Sequence, residues 1–167
     1  MLRRRERERS AALLFGEILA ALELTIRIAD ESRGRGDPYG PFTMRLLRAV
    51  RREAQTYDRN REHLYDLRDA RTRAQIHGLM VRLTLALEGI DDSALQIASL
   101  QSAANTLPQE DAAREDLARE IEAMTDSRHL TFGFMVDAAT QIRPVIAVLR
   151  PLSKEAFDEH EAVLRGG

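Results

Sequence analysis

A chain of 167 residues is long enough to bury one apolar core without a staple, and its lack of cysteine excludes disulfide frameworks, thiol catalysis and sulfur-ligated zinc. Charged residues make up 31% of it while the formal net charge is only −2, which argues against a protein built chiefly to bind nucleic acid. The balance hides local asymmetry: Met1 to Ser10 carries five arginines against two glutamates, Thr43 to Arg82 carries ten against five acids, and Asp91 to Asp126 carries nine acids against two arginines. Charge separated in this way is satisfied first within a bundle or across a dimer, and a basic surface facing phosphate-rich nucleic acid or membrane is the sharper alternative. Twenty-four of the twenty-five basic residues are arginine, which reads as the codon bias of a GC-rich bacterial genome.

The N-terminal run of arginines followed by Ala11-Ala-Leu-Leu-Phe15 imitates a signal peptide, but Glu17, Glu23 and Arg27 interrupt it. No stretch of about 20 uncharged apolar residues results, so no membrane-spanning helix is expected and the chain reads as soluble. A basic leader entering a helix also has the charge of a cytoplasmic flank, which leaves room for an anchor upstream of Met1.

The first helix is expected from about Arg4 to Ser32, because Phe15, Ile18, Leu19, Leu22, Ile26 and Ala29 make one stripe. Nearly 30 residues at 1.5 Å each give about 40 Å, so the basic first ten residues project or fray. Glycines and prolines in the segment 34–41 form a loop. A second helix carries Phe42, Leu46, Leu47, Val50 and Ala54, and a helical turn near Tyr57 to Leu67 leads to a central helix capped by Asp66 or Asp69.

That central helix, Asp69 to Ile90, has two apolar sides. Ile76, Leu79, Met80, Leu83, Leu87 and Ile90 share a stripe, while Val81 and Leu85 lie opposite. Such a helix needs cover on both sides, from its own bundle or from a second copy. Asp91-Asp92-Ser93 is expected to restart the chain in a further helix to about Thr106, closed by Pro108. An acidic helix follows from about Gln109 to Thr125. The next, capped by Asp126 or Ser127, carries Leu130, Phe134, Ala138, Ile142, Val145 and Leu149. Pro144 is expected to kink it by freeing the Thr140 carbonyl, Pro151 to end it, and Ser153 to Leu164 to form a last amphipathic helix.

The spacing thus predicts one all-α domain over residues 1–167, a bundle of roughly five to seven helices. No chemistry stands out in it. His63, His77, His129 and His160 have carboxylate neighbours, notably Glu62, Asp66 and the run Asp158 to Glu161, but lack the Glu-x-x-His and His-Glu-x-x-His spacings of metal sites. His77-Gly-Leu-Met-Val81 lacks the Leu-Lys-Gly-like segment of histidine phosphotransfer domains, and no Gly-x-Ser-x-Gly turn or phosphate-binding loop occurs. No metal, cofactor or small-molecule substrate is therefore implied.

The expectation is a non-enzymatic helical interaction or scaffold protein, self-associating or bound to another helical protein, in the cytoplasm or at its membrane surface. Val81 and Leu85 are the candidate partner surface, and Arg48, Arg51 and Arg52 the candidate anion-binding face. An arginine-dependent nucleic-acid-binding or regulatory protein is the alternative, and a helical-bundle enzyme or metal-binding protein the third.

Overall fold

The computed structural model describes residues 2–165, and the side chains of residues 2–153. Helices α1 (Leu2–Arg33), α2 (Pro41–Asn60), α3 (Ala70–Thr106), α4 (Ala113–Ala139) and α5 (Ile142–Arg165) account for most of it, with a 3-10 turn at Arg61–Asp66. Only Thr140 and Gln141 separate α4 from α5, so the described residues make four helical rods in up-down-up-down order. The all-helical class matches the sequence reading, whereas the expected count of five to seven helices does not.

Three expected boundaries are absent, and each has a physical reason. Asp91-Asp92-Ser93 does not interrupt α3, because aspartate disfavours a helix by only a few tenths of a kcal/mol and packing overrides that. Ile90, Ser93 and Ile97 continue the buried edge, and the Asp91 carboxylate is held by Arg51 of α2. Asp126 and Ser127 cap nothing, since α4 runs through them on the partly or fully buried series Leu117, Ile121, Met124, Arg128, Thr131 and Met135. α4 itself starts at Ala113, where Asp111 accepts the Ala113 amide at 2.9 Å. Pro151 does not end α5 either, for both it and Ala147, whose carbonyl it leaves without a donor, face solvent. Pro144, by contrast, breaks the rod where expected: it occupies the first turn of α5, where a missing N–H costs nothing, and the two residues before that turn are non-helical.

Asp69 is the residue that caps α3. Its carboxylate accepts the Thr72 amide at 3.0 Å, the Thr72 hydroxyl and the Arg71 amide, and these bonds, those from Thr72 first, hold its acid below the usual carboxylate range.

α1 lies between α2 and α5, and α3 pairs along its length with α4. Phe15, Leu19, Leu22, Ile26, Ile76, Leu79, Met80, Leu83, Ile90, Phe132 and Met135 fill the space between them and are fully buried. Arg68 ties the start of α3 to the first turns of α1, its amide and guanidinium both 3.0 Å from the Glu8 carboxylate. Starting there, the 37 residues of α3 extend about 55 Å and outrun α1. No residue of α3 beyond Ile97 and none of α4 before Phe132 is buried. Residues 98–106 of α3 and 113–125 of α4, within these stretches, form a projecting acidic arm with no buried residue.

The α4–α5 run Ala113–Ser153 is long and apolar enough, by length and composition, to cross a membrane. This corrects the expectation that no such segment is encoded. The same run supplies the buried Phe132, Met135, Ile142, Val145 and Leu149 to the core, a role that accounts for its apolar composition.

Candidate partner-binding surface

Gly89 lies where α3 meets Thr131 of α4. A Cβ at this position would stand 3.0 Å from Thr131 Cγ2, a contact that few real side chains make, so the absence of a side chain lets the helices meet here. One turn away on the same side, helical register brings Leu85 of α3 level with Phe134 of α4, and Leu130 lies on the outer face of α4 beside the contact. All are large, apolar and open to solvent: Leu85 is 61% exposed, Leu130 62% and Phe134 59%, with Val81 at 43% one turn before Leu85. The bundle therefore leaves the second apolar side of its central helix bare. Of the expected residues, Val81 and Leu85 stand together on this face. Leu130 and Phe134 join them, although their spacing places them in the apolar stripe with Ala138 and Ile142, which are buried. Only the antiparallel pairing of α4 with α3 reveals their position.

The expected anion-binding trio divides. Arg51 is engaged by Asp91, both side chains being about two-fifths exposed, whereas Arg48 and Arg52 are exposed one turn apart and make no side-chain hydrogen bond or ion pair among the described residues.

The histidines are held by local partners. His63 Nδ1 is 3.3 Å from the Asp66 carboxylate on the 3-10 turn, His129 Nδ1 is 3.3 Å from the Tyr39 hydroxyl, and His77 Nδ1 is 3.0 Å from the Tyr57 hydroxyl. His160 and the run Asp158 to Glu161 lie outside the residues whose side chains are described. Among those that are, no three histidine or carboxylate residues converge in a way that could hold a metal ion. Tyr39 clamps the loop between α1 and α2 onto α4: the Arg128 guanidinium lies 3.6 Å from its ring centre, and its ring meets that of Phe132 edge-on at 6.2 Å. Burial raises the Tyr39 hydroxyl pKa, against the opposing charges of Arg128 and Arg33.

Tyr57 links α2 to α3. Its ring is buried against Phe15 at 6.0 Å, and burial pushes its hydroxyl up to about 12, with Arg61 opposing the shift. The folded state thus holds this proton more tightly than the unfolded chain, whose tyrosine titrates near 10. The resulting stability is complete below pH 10 and is lost as pH rises through 12. Denaturation at pH 12 should show a loss of roughly 2 kcal/mol relative to pH 9.5 from this group, and Tyr57→Phe should remove that part of the loss. A pH dependence unchanged in Tyr57→Phe would show that the hydroxyl is not so held.

No protein-family model matches this chain, and comparison with characterised proteins and with solved structures gives no match.

Proposed function

We propose that this protein is a non-enzymatic helical interaction module that self-associates through the outer face of α3 and the adjoining edge of α4. The observation that carries this reading is the exposure of Val81, Leu85, Leu130 and Phe134, four large apolar side chains that helical register brings to one face of the α3–α4 pair. Contiguous apolar surface on a soluble chain costs solubility unless a partner covers it. The proposed site of action is the bacterial cytoplasm or the inner surface of its membrane, the apolar run Ala113–Ser153 being compatible with the latter. A second reading, arginine-dependent binding of nucleic acid or another polyanion, is favoured by the exposed Arg48 and Arg52 alone.

Light scattering tests the first reading. The wild-type chain should run as an oligomer at both low and high salt, because apolar burial is not screened, and Val81→Glu with Leu85→Glu should run as a folded monomer. Both substitutions fall on exposed positions, so helical circular dichroism should be unchanged. A monomeric wild type at tens of micromolar would overturn the reading.

A further inference from the structure

The exposed face of α3 is more than an apolar patch, because its charge divides at Leu85. Its exposed charges are Arg71 and Arg82 before that residue and Glu88 and Asp92 after it, while Arg73 is turned to the Leu67 and Arg68 carbonyls and Asp91 to Arg51. Size follows a related pattern. Before Val81 the outward positions, spaced alternately three and four apart, are Arg71, Ala74 and Gly78; after Leu85 they are Glu88, Asp92, Leu95 and Ser99. Leu95 is 71% exposed, and a Cβ built on Gly78 meets nothing within 4 Å. The stripe from Arg71 to Ser99 is about 42 Å long at 1.5 Å per residue.

We infer that the occupant of this face is a second copy of the same chain, with α3 packed antiparallel on α3 about a two-fold axis at Leu85. This rests on the self-association proposed above and specifies its geometry. A two-fold at Leu85 brings its side chain against its own equivalent, sets Asp92 against Gly78, and seats Leu95 over the small Ala74. It lays the basic half of each α3 along the acidic half of the other. A parallel pairing would instead stack arginine on arginine and carboxylate on carboxylate, which is repulsive along its whole length. The acidic arm thereby passes alongside the basic end of the second copy, which carries Arg71 and Arg73 on α3 and Arg59 and Arg61 beside it. An isologous interface of this kind closes on itself, so association stops at the dimer.

Absence of native cysteine makes the arrangement directly readable by cross-linking. Leu85→Cys should form a disulfide-linked dimer in the full-length chain under mild oxidation. Gly78→Cys and Asp92→Cys should each cross-link weakly alone and at least tenfold more when mixed, giving the mixed pair. Gly78→Cys and Asp92→Cys dimers that each form alone, with no gain on mixing, would show a parallel pairing and overturn the geometry while leaving self-association standing. A dimer by light scattering in which Leu85→Cys does not cross-link would place the interface elsewhere and overturn it equally. A monomer by light scattering would overturn the self-association reading itself. As a second measurement, Arg82→Glu, which this two-fold sets against Glu88 of the second copy, should weaken the dimer several-fold at low salt, and adding Glu88→Arg should restore it. Failure of the double variant to recover, with its helicity intact, would show that charge does not orient the pair.

Discussion

Phe132→Ala should lower the free energy of unfolding by about 3–5 kcal/mol, the range for removing a large aromatic from a closed core. Phe132 has no exposed surface, and it lies where α1, α4 and the loop between α1 and α2 converge. The Arg33 guanidinium stands 4.2 Å from its ring centre and the Tyr39 ring packs edge-on, so truncation strips a cationic and an aromatic neighbour as well as leaving a cavity. Arg33 also donates to Asp30 at 2.9 Å and to the His129 carbonyl, which keeps it in place beside the hole and hinders collapse. Urea denaturation of the variant against wild type at equal protein concentration measures the loss. A change below about 1 kcal/mol would mean that the junction repacks freely, contrary to a core in which Phe132 is the central contact.

The arm should open independently of the bundle, with amides of Ala98 to Asn105 and of Leu117 to Met124 exchanging with solvent at least about a hundredfold faster than those of Leu79 to Leu87. The contrast follows from burial. Leu79, Met80, Leu83 and Leu87 are buried between rods on two sides, while beyond Ile97 α3 has only the half-covered edge of α4 to rest on. Local opening there exposes Leu100, Leu117, Ile121 and Met124, none fully buried to begin with, so it costs much less than global unfolding. A factor of one hundred corresponds to about 2.8 kcal/mol. Hydrogen exchange read by mass spectrometry on overlapping peptides distinguishes the two regions, and equal protection along α3 would show that the arm is locked to the body. The dimer geometry inferred above would slow exchange in the first half of the arm, so the comparison is made on the Val81→Glu, Leu85→Glu variant.

The core stripes were legible because each helix writes its buried face at a spacing that sequence shows directly. Phe15, Leu19, Leu22 and Ile26 on α1 and Ile76, Leu79, Leu83 and Ile90 on α3 are buried as their spacing implies. Helix ends were less legible, since aspartate and serine are signals only where packing leaves the choice open. Asp69 caps a helix because the chain must turn there after the 3-10 segment; Asp91 and Asp126 lie inside helices whose packed edges run on past them, and do not. The two-sidedness of α3 was readable, but not that Val81 and Leu85 stay exposed, because spacing alone leaves open whether the bundle covers the second side. The contributions of Leu130 and Phe134 depend on which edge of α4 meets α3, a relation fixed by the contact of Gly89 with Thr131, which are distant in sequence. The pairs Tyr57 with His77 and Tyr39 with His129 were equally hidden, because a hydroxyl and an imidazole leave no periodic trace.

The flanking of α1 by both its nearest and its most distant helix in sequence bears on how the protein is made. α2 follows α1 at once, but the other flank waits for α5: the bond from Arg143 to Glu23 joins residues 120 apart. At about 5–20 residues per second, a ribosome needs roughly 6–24 s to supply that distance. During this interval the nascent chain carries Ile18, Leu22 and Ile26 with one side uncovered, and the growing polypeptide is a client for any chaperone that waits near the exit tunnel.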